Sequence, residues 1–199
     1  MADRSPAVRH RIDERALESL EFIRTTMARS ATFTAVPGRG GIAMGVLGIA
    51  AAIVASRQAD DRLWLATWLA AAFVALPVGI VAIWWKAERH AIAVWSANGR
   101  RFLQGYAPSL VAGAVLTAAL VVRGRFDLLP ATWLLLYGAG LLAGSTSSIA
   151  LLAWIGGAFM TLGAAAAVTG AAWRDVWLGA GFGGLQVIFG LVIARKHGG

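Results

Sequence analysis

The chain has 199 residues, of which 58% are hydrophobic and only 14% charged, against about 25% charged residues in an average soluble domain. This composition predicts an all-α integral membrane protein, and the length leaves room for about six spans without a separate soluble catalytic domain. No cysteine is present, which excludes disulfides, thiolate metal sites and cysteine nucleophiles. We attribute the net charge of +8 to basic loops that face anionic lipid, and we expect no nucleic-acid partner.

Residues 1–39 are predicted to form a cytoplasmic amphipathic helix followed by a linker. Apolar residues recur there at spacings of three and four, which places Ile12, Leu20 and Ile23 on one helical face. This face either lies against the inner membrane surface and the cytoplasmic loops, or docks on a membrane or cytosolic protein partner. Pro37 and the glycines after it break the helical period before the first span.

The run from Leu63 to Trp85 contains no charged residue and, at about 1.5 Å per residue, is about 34 Å long as a helix, enough to cross a bilayer. Backbone groups find no water in hydrocarbon, so such a run must be helical. The following segment, Lys86 to Gly105, is expected to extend the helix into the cytoplasm and to break at Asn98 and Gly99. A six-helix transmembrane domain is predicted over residues 40–199, with spans at about 42–56, 63–85, 106–122, 128–144, 149–172 and 176–194.

The basic residues are distributed unevenly over the connections. With the N-terminus inside, most of the 18 lysines and arginines fall on the cytoplasmic side, in the N-terminal segment, in the connection after the second span and at the C-terminus. The positive-inside rule therefore predicts a multi-pass protein of a bacterial cytoplasmic (inner) membrane, with the N-terminus and the C-terminus both in the cytoplasm.

The three predicted helical hairpins resemble one another. Each begins with a span rich in small residues, continues through a short turn with arginine and aspartate, and ends with a tryptophan-bearing helix. All three share one orientation, which is typical of parallel repeats around an axis along the membrane normal. The turn residues are Arg57/Asp61, Arg125/Asp127 and Arg174/Asp175.

From about Gly40 to Lys196 this pattern resembles the HdeD-like acid-resistance proteins, which are six-span bacterial membrane proteins built from three such hairpins. The resemblance rests on glycine-punctuated first helices, a short turn, and a second helix that ends in a glycine before basic residues, as in Phe189-Gly190-Leu191 before Arg195-Lys196. It implies three hairpin repeats and a stress-related role, and it supplies no catalytic residue. The turn proline common in that family occurs only as Pro130, and the long N-terminal helix is foreign to the family.

Small residues are concentrated in the first, third and fifth spans. Because lipid tails are as apolar as leucine, helices in a bilayer associate by close packing, which small residues permit. We therefore predict that the three odd-numbered spans meet around a pseudo-threefold axis and leave little room for a pore. The predicted helix-packing residues are Gly41, Gly45, Gly48, Thr117 and Gly163.

Ionisable side chains are missing from the predicted spans. No Asp, Glu, Lys, Arg or His lies inside them, which disfavours ion-coupled transport. We predict no catalytic residue, no metal site and no cofactor, and interpret His90 and His197 as solvated loop residues; the alternative is a metal or haem pair formed by these two histidines at the inner surface. Gln186, the one strongly polar side chain deep in a span, is expected to hydrogen-bond to a neighbouring helix rather than to a solute.

Two function classes follow from these features. The first is a non-enzymatic membrane protein, structural, stress-related or an accessory subunit of a membrane complex. Its partners are the lipid bilayer and a protein bound through the N-terminal helix, and homo-oligomers are compatible with it. The alternative is an uncoupled channel or facilitator for a small neutral solute, with a water-filled cavity lined by Thr117, Thr161, Thr169 and Gln186. A dry centre favours the first class and a hydrated cavity favours the second.

Overall fold

The computed structural model of the chain describes residues 36–89 and 94–197, together with Leu20. No strand occurs in this part of the chain, and helices joined by short turns account for its regular structure. The predicted N-terminal helix lies outside the described residues, apart from Leu20, which has a helical conformation. The helices are α1 (Gly38–Ala55), α2 (Asp61–Arg89), α3 (Ala97–Val122), α4 (Leu129–Ser145), α5 (Leu151–Val168), α6 (Arg174–Leu178) and α7 (Gln186–His197).

Six helical segments of the described chain are long and apolar enough to cross a membrane. Three of them are α1, α2 and α3, and a fourth is α5. A turn of 3-10 helix extends α4 into the segment Phe126–Ser145. The sixth span, Ala171–Lys196, comprises another 3-10 turn, α6, the π-helical segment Gly179–Leu185 and α7. The all-helical, multi-pass architecture that the sequence predicts is confirmed.

The third span begins earlier than the sequence indicates. The break expected at Asn98 and Gly99 is wrong, because both residues lie inside the first turn of α3. The helix begins there because Ser96 acts as its N-cap, with the side-chain oxygen accepting a hydrogen bond of 3.1 Å from the backbone N–H of Gly99. The asparagine–glycine pair is a turn signal only where no cap organises the preceding residue.

Helix α1 packs on the sixth span through its glycines. The Cβ of an alanine at Gly41 would lie 3.3 Å from the Cα of Gly190, and one at Gly45 would lie 2.8 Å from the backbone nitrogen of Val187. A methyl group at Gly48 would collide with the backbone carbonyl of Phe182. Because backbone atoms of the sixth span lie against all three glycines, the main chains of the two helices are in close contact.

Helix α4 packs in the same way on α5, and it also contacts α3. An added Cβ at Gly138 would lie 2.6 Å from the carbonyl oxygen of Gly156, and one at Gly156 would lie 2.7 Å from the carbonyl oxygen of Gly138. Further along α5, an added Cβ at Gly163 would lie 2.8 Å from the backbone nitrogen of Leu135. The fifth span is therefore joined to the fourth.

The predicted helix-packing residues do not join the odd-numbered spans to one another. Gly48 faces Phe182 of the sixth span, Gly163 faces α4, and Thr117 of α3 is hydrogen-bonded to a residue of α4. The physical reason is that the even-numbered spans carry their own small residues at the right depth, such as Gly138. Close approach therefore pairs odd spans with even ones.

The π-helical segment Gly179–Leu185 occupies the middle of this arrangement. It packs on α1 and also contacts α5. On one side an added Cβ at Gly183 would lie 2.7 Å from the Ile49 side chain, and at Gly181 it would meet Leu134 and Phe159. Its glycines leave room for neighbouring residues on both sides, so the sixth span is the hub that joins α1 to the α4–α5 pair.

Replacing Gly48 by alanine tests the contact between α1 and this hub. We expect Gly48→Ala to lower the free energy of unfolding by about 1–3 kcal/mol, because the added methyl group overpacks against a rigid backbone carbonyl. Gly157→Ala is the matched control, since an added Cβ there meets nothing within 4 Å. That change should be neutral or stabilise the protein by up to about 1 kcal/mol, as expected for a helical glycine with open space beside it. Thermal unfolding in detergent measures both variants, and a Gly48→Ala protein as stable as wild type contradicts the contact.

Candidate functional site

Two tryptophans at the start of α2 donate hydrogen bonds to one carboxylate. The indole N–H of Trp64 lies 2.7 Å from Oδ1 of Asp175, and that of Trp68 lies 3.3 Å from the same oxygen. The two tryptophans are four residues apart, so they lie on one helical face, and both are buried. The carboxylate therefore ties the second span to the first turn of α6.

Arg174 adds an ion pair and a stacking contact to the same place. Its guanidinium pairs with Asp61 at 2.5 Å and lies 3.8 Å from the second oxygen of Asp175. It also lies over the ring of Trp64, 4.5 Å from the ring centroid. Trp64 in turn stacks on Trp133 of α4, with centroids 5.9 Å apart and planes within 4° of parallel. We call this set the Asp175 cluster: Asp61, Trp64, Trp68, Trp133, Arg174 and Asp175.

The contacts of the cluster show that the predicted turns are not structurally equivalent. In the second turn Arg125 pairs with Asp127 of its own turn, through two hydrogen bonds of 3.0 Å, and both side chains are about half exposed. In the third turn Arg174 reaches the first hairpin instead. The exposed Arg125–Asp127 pair contributes little to stability. In the other pair Arg174 is mostly buried and Asp61 about half exposed, and the same guanidinium also lies over the ring of Trp64. Equivalent positions in the sequence pattern therefore have different structural roles.

A second polar group lies in the interior of the bundle. The Gln186 amide donates a hydrogen bond of 2.7 Å to the hydroxyl of Tyr137, and the ring of Tyr106 contacts that of Tyr137 edge-on, with centroids 5.9 Å apart. Phe159 and Phe182 surround Tyr137, with ring centroids at 4.7 Å and 5.1 Å. This hydrogen bond links α4 to the sixth span, Tyr106 of α3 adds a ring contact, and all of these groups lie within an aromatic cluster.

The threonines that could have lined a solute path are also hydrogen-bonded within the protein. Thr117 accepts from the indole of Trp133 at 2.8 Å and donates to a backbone carbonyl of its own helix at 2.7 Å. Thr169 accepts from the indole of Trp177 at 2.7 Å. Thr161 donates to a carbonyl of its own helix at 2.9 Å and is exposed on the outside of the bundle. The four candidate residues do not converge on one cavity.

Sequence reasoning missed the burial of Lys86 at the other end of α2. Only 4% of this residue is exposed, and its ammonium group donates a hydrogen bond of 2.9 Å to the backbone carbonyl of Val36. Ala87 beside it is buried against Val36 and Phe102. The helix continues past Trp85 to Arg89, as the sequence predicts, and this end is packed against Val36 before α1 and Phe102 of α3. A lysine stem can lie along apolar surface while its head finds an oxygen, which a hydropathy pattern does not reveal.

One open groove lies along the face of α3. It has a volume of about 630 Å³ and is almost entirely apolar. Its lining residues all belong to α3: Leu103, Gln104, Ala107, Pro108, Val111 and Ala112.

The remaining predictions concern metal-ligating groups and the N-terminal docking face. Within the described residues, no group of three His, Asp or Glu side chains could hold a metal ion. Ile12, Ile23 and His90 lie outside the described residues, as does the side chain of His197. The predicted docking face and the histidine interpretation therefore stay predictions.

Comparisons with protein-family models, with curated proteins and with solved structures found no significant match. The resemblance to HdeD-like proteins, and the stress-related role that it implies, therefore stay hypotheses drawn from the pattern of hairpins.

The Asp175 cluster predicts a specific loss of stability. Asp175→Ala leaves two indole N–H groups without their acceptor, and we expect it to lower the free energy of unfolding by about 2–4 kcal/mol. Asp175→Asn keeps an acceptor oxygen but loses the charge, so its effect should be smaller. Asp127→Ala is the control, because it breaks a solvent-exposed pair and should cost less than about 1 kcal/mol. Thermal unfolding in detergent compares the three variants, and equal losses for Asp175→Ala and Asp127→Ala contradict a stabilising role of the cluster.

Proposed function

We propose that the protein is a non-enzymatic integral membrane protein that serves as a structural or accessory subunit of a membrane complex. This proposal rests mainly on the hydrogen bonds that the polar side chains within the spans make to other side chains of the protein. Gln186, Thr117 and Thr169 are all hydrogen-bonded to side chains of the same chain. Groups that must exchange partners with a passing solute or a substrate are better left facing a cavity. Here they join helices to one another.

The packing at the centre supports the same proposal. Phe159 is fully buried, and its ring contacts Tyr137 and Phe182 at centroid distances of 4.7 Å and 5.5 Å. Aromatic rings in mutual contact fill the volume that a facilitator for a neutral solute would keep for water. The channel alternative therefore has less support than the structural one.

The bilayer is the first partner in this proposal. Between Trp68 and Lys86, no residue of α2 is buried, and Phe73 and Val81 expose 81% and 65% of their surface. Apolar side chains on the outside of a spanning helix suit contact with lipid tails or with another membrane helix. A protein partner bound through the face that contains Ile12, Leu20 and Ile23 completes the proposal.

We further propose a bacterial cytoplasmic membrane as the location, with both termini in the cytoplasm. The distribution of lysine and arginine over the connections supports this orientation. Three parallel hairpins of HdeD-like type, with a stress-related role, belong to the same proposal and rest on the sequence pattern.

Isolation of the protein from its own membranes in mild detergent tests the proposal. We expect wild-type protein to co-purify with one protein partner in constant stoichiometry. The triple variant Ile12→Ser, Leu20→Ser, Ile23→Ser should still insert but lose that partner, because its apolar docking face is removed. The control carries Glu14→Gln, Glu18→Gln and Glu21→Gln on the polar side of the same predicted helix and should keep the partner. Wild-type protein that elutes without a partner contradicts the accessory role.

A flux measurement on the same preparation separates the two function classes. Proteoliposomes should take up glycerol and urea at the rate of protein-free liposomes, since no hydrated path crosses the proposed bundle. Faster uptake that depends on the protein would overturn the structural proposal and support the channel.

A further inference from the structure

The groove on α3 differs from an ordinary lipid-facing helix surface in its shape. Ala107 and Pro108 lie in its middle, between the larger side chains of Leu103 and Val111, and Ala112 lies at its far end. Small residues next to larger ones make a concave strip in a helix surface. A concave apolar strip holds a flexible chain in more contacts than a convex one does.

The groove has the length of one membrane leaflet. From Leu103 to Ala112, at about 1.5 Å rise per residue, it extends over about 14 Å. The hydrocarbon core is about 30 Å thick, so one leaflet is about half of that. A groove of this length fits the acyl chains of lipids in a single leaflet.

Polar residues mark the end of the groove that lies at the membrane interface. Arg100 is one helical turn before Gln104, on the same face of α3, and Arg101 follows it; all three side chains are exposed. Trp95, 68% exposed, precedes them, and tryptophans concentrate at the headgroup level of membranes. We therefore expect the guanidinium groups to lie at the depth of the lipid phosphates.

The backbone adds an acceptor at the same end. Pro108 lies inside α3 and has no N–H, so it cannot donate the usual helical hydrogen bond to the carbonyl of Gln104. A headgroup that carries hydroxyl donors can use this carbonyl together with the Gln104 side chain. Positive charge, an acceptor and an apolar strip follow one another along a single helix face.

We propose that the groove binds an anionic glycerophospholipid. One acyl chain lies along Ala107, Val111 and Ala112, and the phosphate is bound by Arg100 and Arg101. Guanidinium groups bind phosphate oxygens through paired, charge-assisted hydrogen bonds, which supplies the headgroup preference. The inference goes beyond the proposed function, because it concerns a lipid site and does not depend on a protein partner.

Native mass spectrometry of the full chain in detergent tests the proposal. The protein is titrated with phosphatidylglycerol and with phosphatidylcholine of identical acyl chains. Phosphatidylglycerol should bind more tightly, and the double variant Arg100→Gln, Arg101→Gln should lower its affinity roughly thirty-fold. The control Arg195→Gln, Lys196→Gln removes an exposed basic pair at the end of α7 and should leave the affinity unchanged.

The acyl chain is tested separately. Ala107→Phe and Ala112→Phe each fill the groove and should lower phosphatidylglycerol binding at least tenfold, whereas Ala118→Phe, on an exposed position of α3 outside the groove, should not. Thermal unfolding checks that each variant is folded. The proposal is overturned if phosphatidylglycerol binds no better than phosphatidylcholine, or if filled grooves bind it as well as wild type. It is also overturned if groove filling abolishes a dimer and leaves lipid binding intact, because the groove would then be an interface between two copies.

Discussion

The structure depends on the close approach of two backbones, that of α1 and that of the sixth span. At Gly48 the main chains are so near that a single methyl group would collide with the carbonyl of Phe182. In a bilayer the lipid competes equally for apolar side chains, so shape and contact distance decide which helices associate. Because the π-helical segment Gly179–Leu185 also contacts α5, this one contact sets the position of the sixth span between the two groups of helices.

Hydrogen bonds and an ion pair between polar side chains then stabilise the helix contacts that the glycines make possible. The Asp175 cluster joins the second span to the sixth by indole donors and an ion pair. In the interior, Gln186 reaches Tyr137 across helices, where an unpaired amide would be costly in hydrocarbon. Polar side chains in these spans therefore act as ties between helices, and this is why the architecture supports a structural role more than a transport role.

The number and class of the helices could be predicted from the sequence because an uncharged run of sufficient length has only one solution in hydrocarbon. The pairing of the helices could not be predicted, because small residues occur in nearly every span and do not indicate which helix packs against which. The link between Trp64 and Asp175 joins residues 111 positions apart, and no local signal indicates it. The charge of Lys86 predicts a position in a cytoplasmic extension of the second span. Its hydrogen bond to the carbonyl of Val36 could not be predicted, because it depends on how the chain enters α1. That Gln186 needs a polar partner follows from the cost of an unpaired amide in hydrocarbon. That the partner is Tyr137 follows only from the fold.

Disulfide formation between introduced cysteines tests the central contact most directly, because the chain has no cysteine of its own. The Cβ of Ala52 lies 3.1 Å from the position of a Cβ at Gly179, so a shift of a few tenths of an ångström brings the two into the range of about 3.5–4.5 Å that disulfides require. We expect Ala52→Cys with Gly179→Cys to form a disulfide efficiently in membranes, and Gly48→Cys with Thr117→Cys to form none. The opposite result would mean that α1 packs on α3 around a threefold axis, and would contradict the sixth span as the hub.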